Sequence, residues 1–208
     1  MKANLLGLVL VVAGAANAAI VIDVGNNPQP PEYNVLLTSG VTGTQVTGTF
    51  NEFPGLNAVF TSTQTLEENA SGQARITAMS ADLNNITISL SGGNTFGDLI
   101  FALNPPNGNG PNPSYSITAN GTLNTQSRTG SVTTGNQFFT IVATGEQLTS
   151  VSISSSGISD IRQVRFSDIT APGGGGGGGG EIPEPSTFAM LGGSIIALTL
   201  GRKFRSQS

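Results

Sequence analysis

Short hydrophobic runs in the middle of the chain alternate with polar residues at every second position, which is the period of β-strands. Asn85–Leu90 is the clearest run, because its alternation places Ile86, Ile88 and Leu90 on one face. Gly, Asn and Pro separate the runs, as turns require. The predicted strands are Ala19–Val24, Tyr33–Thr38, Gln45–Phe50, Asn85–Leu90, Phe96–Leu103, Tyr115–Ala119, Phe138–Val142, Leu148–Ser154 and Ile161–Ile169.

The spacing of these runs predicts an all-β domain over residues 19–172, with a β-sandwich or jelly-roll architecture. Ser91–Asn94 is predicted to be a turn, and Asn104–Pro113, with its four prolines, a loop. Within this domain only Glu67–Ser80 has a composition that could hold a helical turn, and its Ala-Ser-Gly centre is unfavourable for one.

The charge of this domain is acidic. Its ten carboxylates against four arginines give −6, compared with −4 for the whole chain, because other basic residues lie near the two ends. An acidic domain without a basic stripe makes nucleic acid an unsuitable partner. The chain has no cysteine, so a core of this size has to be stable without disulfides.

The residues available for catalysis are few. Histidine and cysteine are absent, and the two lysines, Lys2 and Lys203, lie near the chain ends. Ser-His-Asp and Cys-His nucleophiles, a Ser-Lys dyad in the domain and ordinary His or Cys zinc sites are therefore excluded. We predict a protein that is not an enzyme, with no catalytic residue, no metal and no cofactor.

Two kinds of site remain open for the acidic residues. A glycosidase with paired carboxylates would draw on the four aspartates Asp82, Asp98, Asp160 and Asp168. An oxygen-ligated Ca²⁺, or a carbohydrate, would use Asp82 with Asn84 and Asn85, or Asp160 with Asp168. No spacing selects a carboxylate pair, and no Asp-x-Asp-x-Asp-Gly loop occurs. The favoured interpretation is that these residues form turns and cap strand ends.

Arg162 and Arg165 are three positions apart on a predicted strand, so strict alternation places them on opposite faces. We therefore expect them to be surface charges and not a phosphate clamp.

The N-terminal residues have the pattern of an export signal. Met1–Lys2 gives a small positive region, Leu5–Ala13 an apolar region, and Ala16-Asn17-Ala18 a small-x-small site. This predicts a signal peptide over residues 1–18 and cleavage before Ala19.

The last residues have three parts in a fixed order after a glycine-rich linker at residues 173–181. Pro183-Glu184-Pro185 comes first, then the apolar run Phe188–Leu200, then the basic cluster Arg202, Lys203 and Arg205. The apolar run is about 20 Å long as a helix, and counting from Ser186 to Phe204 extends it to about 28 Å, close to a hydrocarbon core of about 30 Å. The basic cluster favours the cytoplasmic side, which leaves Pro183-Glu184-Pro185 outside.

Residues 182–208 resemble the PEP-CTERM sorting signal in the Pro-Glu-Pro motif, the apolar segment with Gly192-Gly193 and the basic end. The resemblance implies an exosortase, a membrane-embedded processing enzyme of exopolysaccharide-producing Gram-negative bacteria, as the partner. It further implies transient residence in the cytoplasmic membrane, followed by removal of the tail and release to the cell surface or extracellular matrix. A plain single-pass anchor that is never processed is the alternative.

A second resemblance lies in Leu148–Ser154 and Asp160–Phe166, which look like the last two strands of the β-sandwich domains that often precede this signal. Together these features predict an exported surface or exopolysaccharide-matrix protein with a structural or adhesive role. A carbohydrate- or Ca²⁺-binding module is the alternative, and would show exposed aromatics or an aspartate cluster on one face. A glycosidase would need two carboxyls about 5–10 Å apart in a cleft.

Overall fold

The structure is a computed structural model that describes residues 17–38, 40–69, 72–106, 111–133 and 135–171. In this part of the chain all regular structure is β-strand, apart from a short 3-10 turn at Ser91–Gly93. The strands are β1 (Ala19–Val24), β2 (Tyr33–Asn34), β3 (Leu36–Leu37), β4 (Thr42–Thr49), β5 (Asn57–Glu68), β6 (Gly72–Gln73), β7 (Arg75–Ala78), β8 (Leu83–Leu90), β9 (Asp98–Asn104), β10 (Ser114–Gly121), β11 (Thr125–Ser131), β12 (Gln137–Thr144), β13 (Leu148–Ile158) and β14 (Asp160–Ser167).

These strands form one 14-stranded sheet, with the order β1-β12-β9-β14-β7-β5-β8-β13-β10-β11 along its main path. Every pairing between them is antiparallel. The sheet curls until its end strands β1 and β11 come together, and Arg128 Nη1 in β11 donates a hydrogen bond to the Ile22 carbonyl in β1 at 3.1 Å. The predicted all-β class is confirmed, in the form of a sheet nearly closed into a barrel.

β5 is the strand that joins the two halves of the sheet. Its first part, Ala58–Thr61, pairs with β8, whereas Leu66–Glu68 pairs with β7. Between these parts the register with β4 shifts, so that Gly43 opposes Leu66 while Gln45 opposes Thr61. Such an irregularity bends a strand and increases its twist, and here it redirects β5 from one half to the other.

The core lies inside the curled sheet and is rich in phenylalanine. Phe96 packs edge-on against Phe166 with ring centroids 4.8 Å apart, and Tyr115 packs edge-on against Phe139 at 4.9 Å. Phe60 is also fully buried. Each such ring contributes about 1.5–3 kcal/mol through burial.

β9 is buried on both faces, which is unusual for an antiparallel strand. Leu99, Phe101 and Leu103 belong to the main core. Ile100 and Ala102 point the other way and are equally buried. Their neighbours on β14 are arginines, since Arg165 pairs with Ile100 and Arg162 with Ala102. The long arginine side chains can cover apolar surface with their methylene groups.

The expectation that Arg162 and Arg165 face opposite sides is wrong. Gln163 has a left-handed φ of 54°, and the β14–β9 register shifts between the two arginines. The extra residue resets the alternation, so both side chains lie on the same face. The possible helical turn in Glu67–Ser80 is also wrong for the described residues of that range, which belong to β5, β6 and β7 or to their connections.

Candidate binding face

The outward side of six adjacent strands carries hydroxyl and amide side chains in register. One row crosses all six strands and consists of Gln45, Thr61, Thr87, Ser152, Thr118 and Ser127. The next row consists of Thr47, Val59, Ser89, Ser150, Asn120 and Thr125. A third row consists of Asn85, Ser154, Ser116 and Thr129. These sixteen residues are called the hydroxyl face below.

Twelve residues of the hydroxyl face are serine or threonine, three are amides, one is valine and none is charged. In a β-sheet the rows are about 6.6–6.8 Å apart along the strands, and neighbours within a row are about 4.8 Å apart. Cross-strand hydrogen bonds hold several side chains in place: Thr118 Oγ1 lies 2.9 Å from Ser127 Oγ, and Thr87 Oγ1 lies 3.0 Å from Ser152 Oγ. The face is therefore a regular lattice of polar groups.

This lattice exists because the opposite side of five of the six strands, all except β11, supplies the core. On β10, Tyr115, Ile117 and Ala119 are buried, while the residues between them face outward. The arrangement is the same on two other strands: the buried residues are Ile86 and Ile88 on β8, and Val151 and Ile153 on β13. Strict alternation thus fixes which residues form the hydroxyl face.

A shallow depression of about 680 Å³ lies at one end of the hydroxyl face. Serine and threonine dominate its lining, with Ser116, Thr129 and Ser154 shared with the face. Tyr115 reaches it because Gly130 has no side chain: a Cβ there would lie 2.6 Å from the Tyr115 hydroxyl. The depression is lined by neutral donors and acceptors.

The first predicted oxygen cluster, Asp82, Asn84 and Asn85, lies where β5 bends. The Asn85 side-chain oxygen accepts the backbone N–H of Thr63 at 2.9 Å, and Ser62 Oγ donates to the Asn85 carbonyl at 2.7 Å. Asn84 and Asp82 contribute only backbone groups to this region, both bonded to Gln64. Asn85 therefore accepts hydrogen bonds from the irregular segment of β5, as the turn-and-cap interpretation predicts.

The second predicted pair, Asp160 and Asp168, is not a shared oxygen cluster. Asp160 is completely buried, and its carboxylate accepts a hydrogen bond from Arg162 Nε at 2.6 Å and one from Arg75 Nε at 3.3 Å. Both arginines form salt bridges with it, and the Asp160 carboxylate in turn holds the Arg162 pKa above its usual range. This carboxylate connects β14 to β7 and is occupied by its cations.

Asp98 is a carboxylate whose pKa is raised in the folded protein. Burial raises its pKa above the ordinary value, the hydrogen bond from Ser167 Oγ at 2.7 Å opposes this, and the charges of Asp168 and Glu32 raise it further. Its Oδ1 atom is buried and has no hydrogen-bond partner. Glu32 is paired with Arg165, whose guanidinium also contacts Asn26.

Within the described residues no group of three or more His, Cys, Asp or Glu side chains is arranged to hold a metal ion. The hydroxyl face carries neither the exposed aromatics nor the aspartate cluster that would mark an ordinary lectin or Ca²⁺ module. Sequence reasoning did not identify the face, although the repeated serine and threonine between core positions of β8, β10 and β13 was the available signal.

The sorting motif Pro183, Glu184 and Pro185 and the basic cluster Arg202, Lys203 and Arg205 lie outside the described residues, as do residues 1–16 of the predicted signal peptide. In the described part of the chain no helix is long and apolar enough to cross a membrane.

Comparisons with known proteins return no counterpart: no family model, no curated protein and no solved structure matches this chain.

Proposed function

We propose that this protein is exported, is processed through its PEP-CTERM-like tail by an exosortase, and serves as a structural or adhesive component of the cell surface or exopolysaccharide matrix. The support for export and sorting is the order of the chain: an export signal in front, a β domain, a flexible glycine run and a Pro-Glu-Pro motif before an apolar segment. Eight glycines give a tether with a reach of about 15–17 Å, enough to separate the domain from a membrane enzyme.

The observation that carries the adhesive role is the hydroxyl face. Hydroxyl and amide groups exchange hydrogen bonds with the hydroxyls of a sugar chain, and each exchange has a net value of only about 0.5–1.5 kcal/mol. A polymer that contacts several rows at once adds the free energies of these hydrogen bonds, but it loses its translational freedom only once. The domain around the face is acidic, so it repels anionic polymers and favours a neutral polysaccharide.

We further propose that the curled sheet functions as a flattened, sandwich-like body, with the hydroxyl face on one side and the arginine-covered face of β9 and β14 on the other. This is the finer form of the predicted β-sandwich or jelly roll. Its support is the shared aromatic core between the two halves of the sheet.

The geometry gives less support to catalysis. Asp160 is already paired with two arginines, and Asp82 is exposed beside the bend of β5. Asp98 and Asp168 are close enough to influence one another, but neither lines the depression at the end of the hydroxyl face. We therefore keep the proposal non-enzymatic and without a cofactor.

Adsorption to polysaccharides tests the role of the face. The purified full chain, in mild detergent, should co-sediment with an insoluble neutral glucan more than with an acidic polysaccharide. High salt should leave the adsorption to the neutral glucan unchanged and reduce the difference between the two polymers, because salt screens the repulsion of the acidic polymer. Thr87→Lys with Thr118→Lys should reduce the adsorption several-fold, because each introduces a charge that must be desolvated in the contact. Thr65→Lys, on an exposed strand position outside the face, is the matched control. Equal loss in the control would reject the face as the contact surface.

Mass spectrometry of protein from the native host tests the sorting. The mature form should lack Phe188–Ser208, and Glu184→Ala should leave an unprocessed membrane-bound form. Intact C-terminal peptides through Arg205 on surface-exposed protein, in cells that contain an exosortase, would instead establish the plain anchor.

A further inference from the structure

Glu146 is a buried carboxylate in the turn between β12 and β13, with 8% of the residue exposed. Its Oε2 atom accepts the backbone N–H groups of Leu123 and Asn124, each at 3.0 Å. Its Oε1 atom accepts a hydrogen bond from Asn124 Nδ2 at 2.9 Å. Burial alone would raise the Glu146 pKa, but these three hydrogen bonds outweigh it and lower the pKa below its usual value. The carboxylate is therefore ionised at neutral pH.

Glu146 accepts its hydrogen bonds from neutral amides, which distinguishes it from the carboxylates that pair with arginine in the described part of the chain. Asp160 is paired with Arg75 and Arg162, and Glu32 with Arg165. The remaining arginine of the domain, Arg128, donates to the Ile22 carbonyl. Buried carboxylates are normally paired with a cation, and none of the salt bridges among the described residues includes Glu146.

The Ala18–Ala19 peptide bond lies beside this carboxylate. Asn124 Nδ2, which binds Glu146, also donates to the Ala18 carbonyl oxygen at 3.3 Å. Bond lengths in the peptide unit then place the Ala19 nitrogen within about 6 Å of the Asn124 amide. Ala19 is paired with Thr144, two positions before Glu146. Ile20 and Glu146 also meet over Gly121, where an added Cβ would lie 2.2 Å from Glu146 Oε2 and 2.9 Å from Ile20 Cδ1.

We propose that cleavage of the Ala18–Ala19 bond creates an ammonium group on Ala19 that forms an ion pair with Glu146 and fixes the start of β1. The cleavage is a hydrolysis by a signal peptidase: water supplies hydroxyl to the Ala18 carbonyl carbon and hydrogen to the Ala19 nitrogen, and the C–N bond breaks. Loss of residues 1–18 removes the Ala18 carbonyl from Asn124. Asn124 Nδ2 contacts both the Ala18 carbonyl oxygen and Glu146 Oε1, so the new terminus forms in the immediate neighbourhood of the carboxylate. The inference rests on the export step of the proposed function.

Among the residues that the structure describes, the groups in contact with Glu146 do not titrate. They are Leu123 and Asn124 in the turn after β10, Gly121 in β10, and Ile20 in β1. A change in protonation at this place can therefore be assigned to Glu146 or to the Ala19 amine. Opposite charge favours the protonated amine, so its pKa in the folded protein should exceed the ordinary value of about 7.7–8.0.

The test uses the chain from Ala19 to Ser208 in mild detergent, with its first residue confirmed by mass spectrometry. The pKa of the Ala19 amine is measured from the pH dependence of its acetylation rate, or by NMR with labelled alanine. We expect a rise of about one unit or more over the ordinary value. The rise should disappear in Glu146→Gln, and also when one glycine is added before Ala19, which keeps Glu146 but displaces the amine. Glu67→Gln, at an exposed position of β5, should leave it unchanged.

An ordinary amine pKa in the folded chain, or a raised pKa that persists in Glu146→Gln and in the glycine-extended chain, would overturn the inference. The glycine-extended chain keeps the test valid if Glu146→Gln does not fold. Sequencing of the N-terminus from the native host is a separate measurement. A mature start other than Ala19 would contradict the export step as proposed, whereas an ordinary pKa in a chain that starts at Ala19 would contradict only the ion pair.

Discussion

Arg128 and Ile22 are 106 positions apart in sequence, yet the Arg128 guanidinium donates a hydrogen bond to the Ile22 carbonyl oxygen at 3.1 Å. This bond crosses the place where the two ends of the sheet meet, between β11 and β1. Carbonyl groups on the edge of a sheet have no ladder partner of their own. The Arg128 side chain therefore supplies one hydrogen bond that a neighbouring strand would otherwise provide at this edge.

Arg128→Met should weaken this closure. We expect a loss of about 1–2 kcal/mol in the free energy of unfolding, because a charged donor to a nearly buried carbonyl is removed. Urea denaturation measures the loss, and amide exchange should increase in β1 and β11 before other strands. Gln126→Ala, on the same strand and equally exposed, is the control and should change stability by less than about 0.5 kcal/mol. Equal effects of the two substitutions would contradict a closing role for Arg128.

Asp160→Asn should be among the most damaging conservative substitutions in the domain. It leaves Arg75 and Arg162 without their shared buried anion, but these arginines are 41% and 24% exposed, so water replaces part of the lost interaction and we expect a loss of about 1–3 kcal/mol. Thermal unfolding measures the change. Asp82→Asn is the matched control, since Asp82 is exposed and its backbone carbonyl accepts the hydrogen bond from Gln64. A stable Asp160→Asn protein would show that the arginines find other partners.

Asp98→Asn should stabilise the domain at neutral pH and have no effect in acid. The folded-state pKa of Asp98 is raised, chiefly by burial. The folded protein therefore binds the proton more tightly than the unfolded chain, and stability falls as pH rises from about 3.9 through the folded pKa. Asparagine keeps an oxygen for Ser167 and carries no charge to desolvate. Melting temperatures of both proteins from pH 3 to pH 8 measure this, and a constant difference across that range would refute it.

Asn85→Ala should destabilise the bend of β5 by about 1–3 kcal/mol, because the Thr63 N–H and the Ser62 hydroxyl each lose an acceptor. Asn84→Ala is the control, since Asn84 contributes its backbone N–H to this region. The measurement is urea denaturation with Ca²⁺ and again with a chelator. A Ca²⁺-dependent rise in stability that is lost in Asn85→Ala would favour the calcium site over the structural role.

Local alternation was sufficient to predict the strands that have a clear apolar face, such as Asn85–Leu90 and Leu148–Ser154. It did not reveal β11, whose residues are exposed on both sides and therefore carry no hydrophobic signal. It also missed β5, because the bend interrupts the alternation and its inward positions include Ser62 and Glu68.

The candidate face required information that the sequence does not contain. Serine and threonine between core positions of one strand predict only a solvated side. They become a lattice because β4, β5, β8, β13, β10 and β11 pair in one register, and these pairings join residues far apart in sequence. The prediction that Arg162 and Arg165 face opposite sides was wrong for a related reason. The left-handed residue Gln163 lies where β14 has one extra residue, so Arg165 lies on the face opposite to the one that strict alternation predicts.

The division of β5 between two sets of neighbours determines how the domain can come apart. Ala58–Thr61 pairs with β8 and Leu66–Glu68 pairs with β7. Because both segments belong to β5, one half of the sheet cannot detach without disrupting a strand that the other half also needs. We therefore expect a single cooperative unfolding transition rather than stepwise loss of halves. If the protein is exported, as we propose, this coupling means that proteases outside the cell meet either the complete fold or a rare, fully open chain.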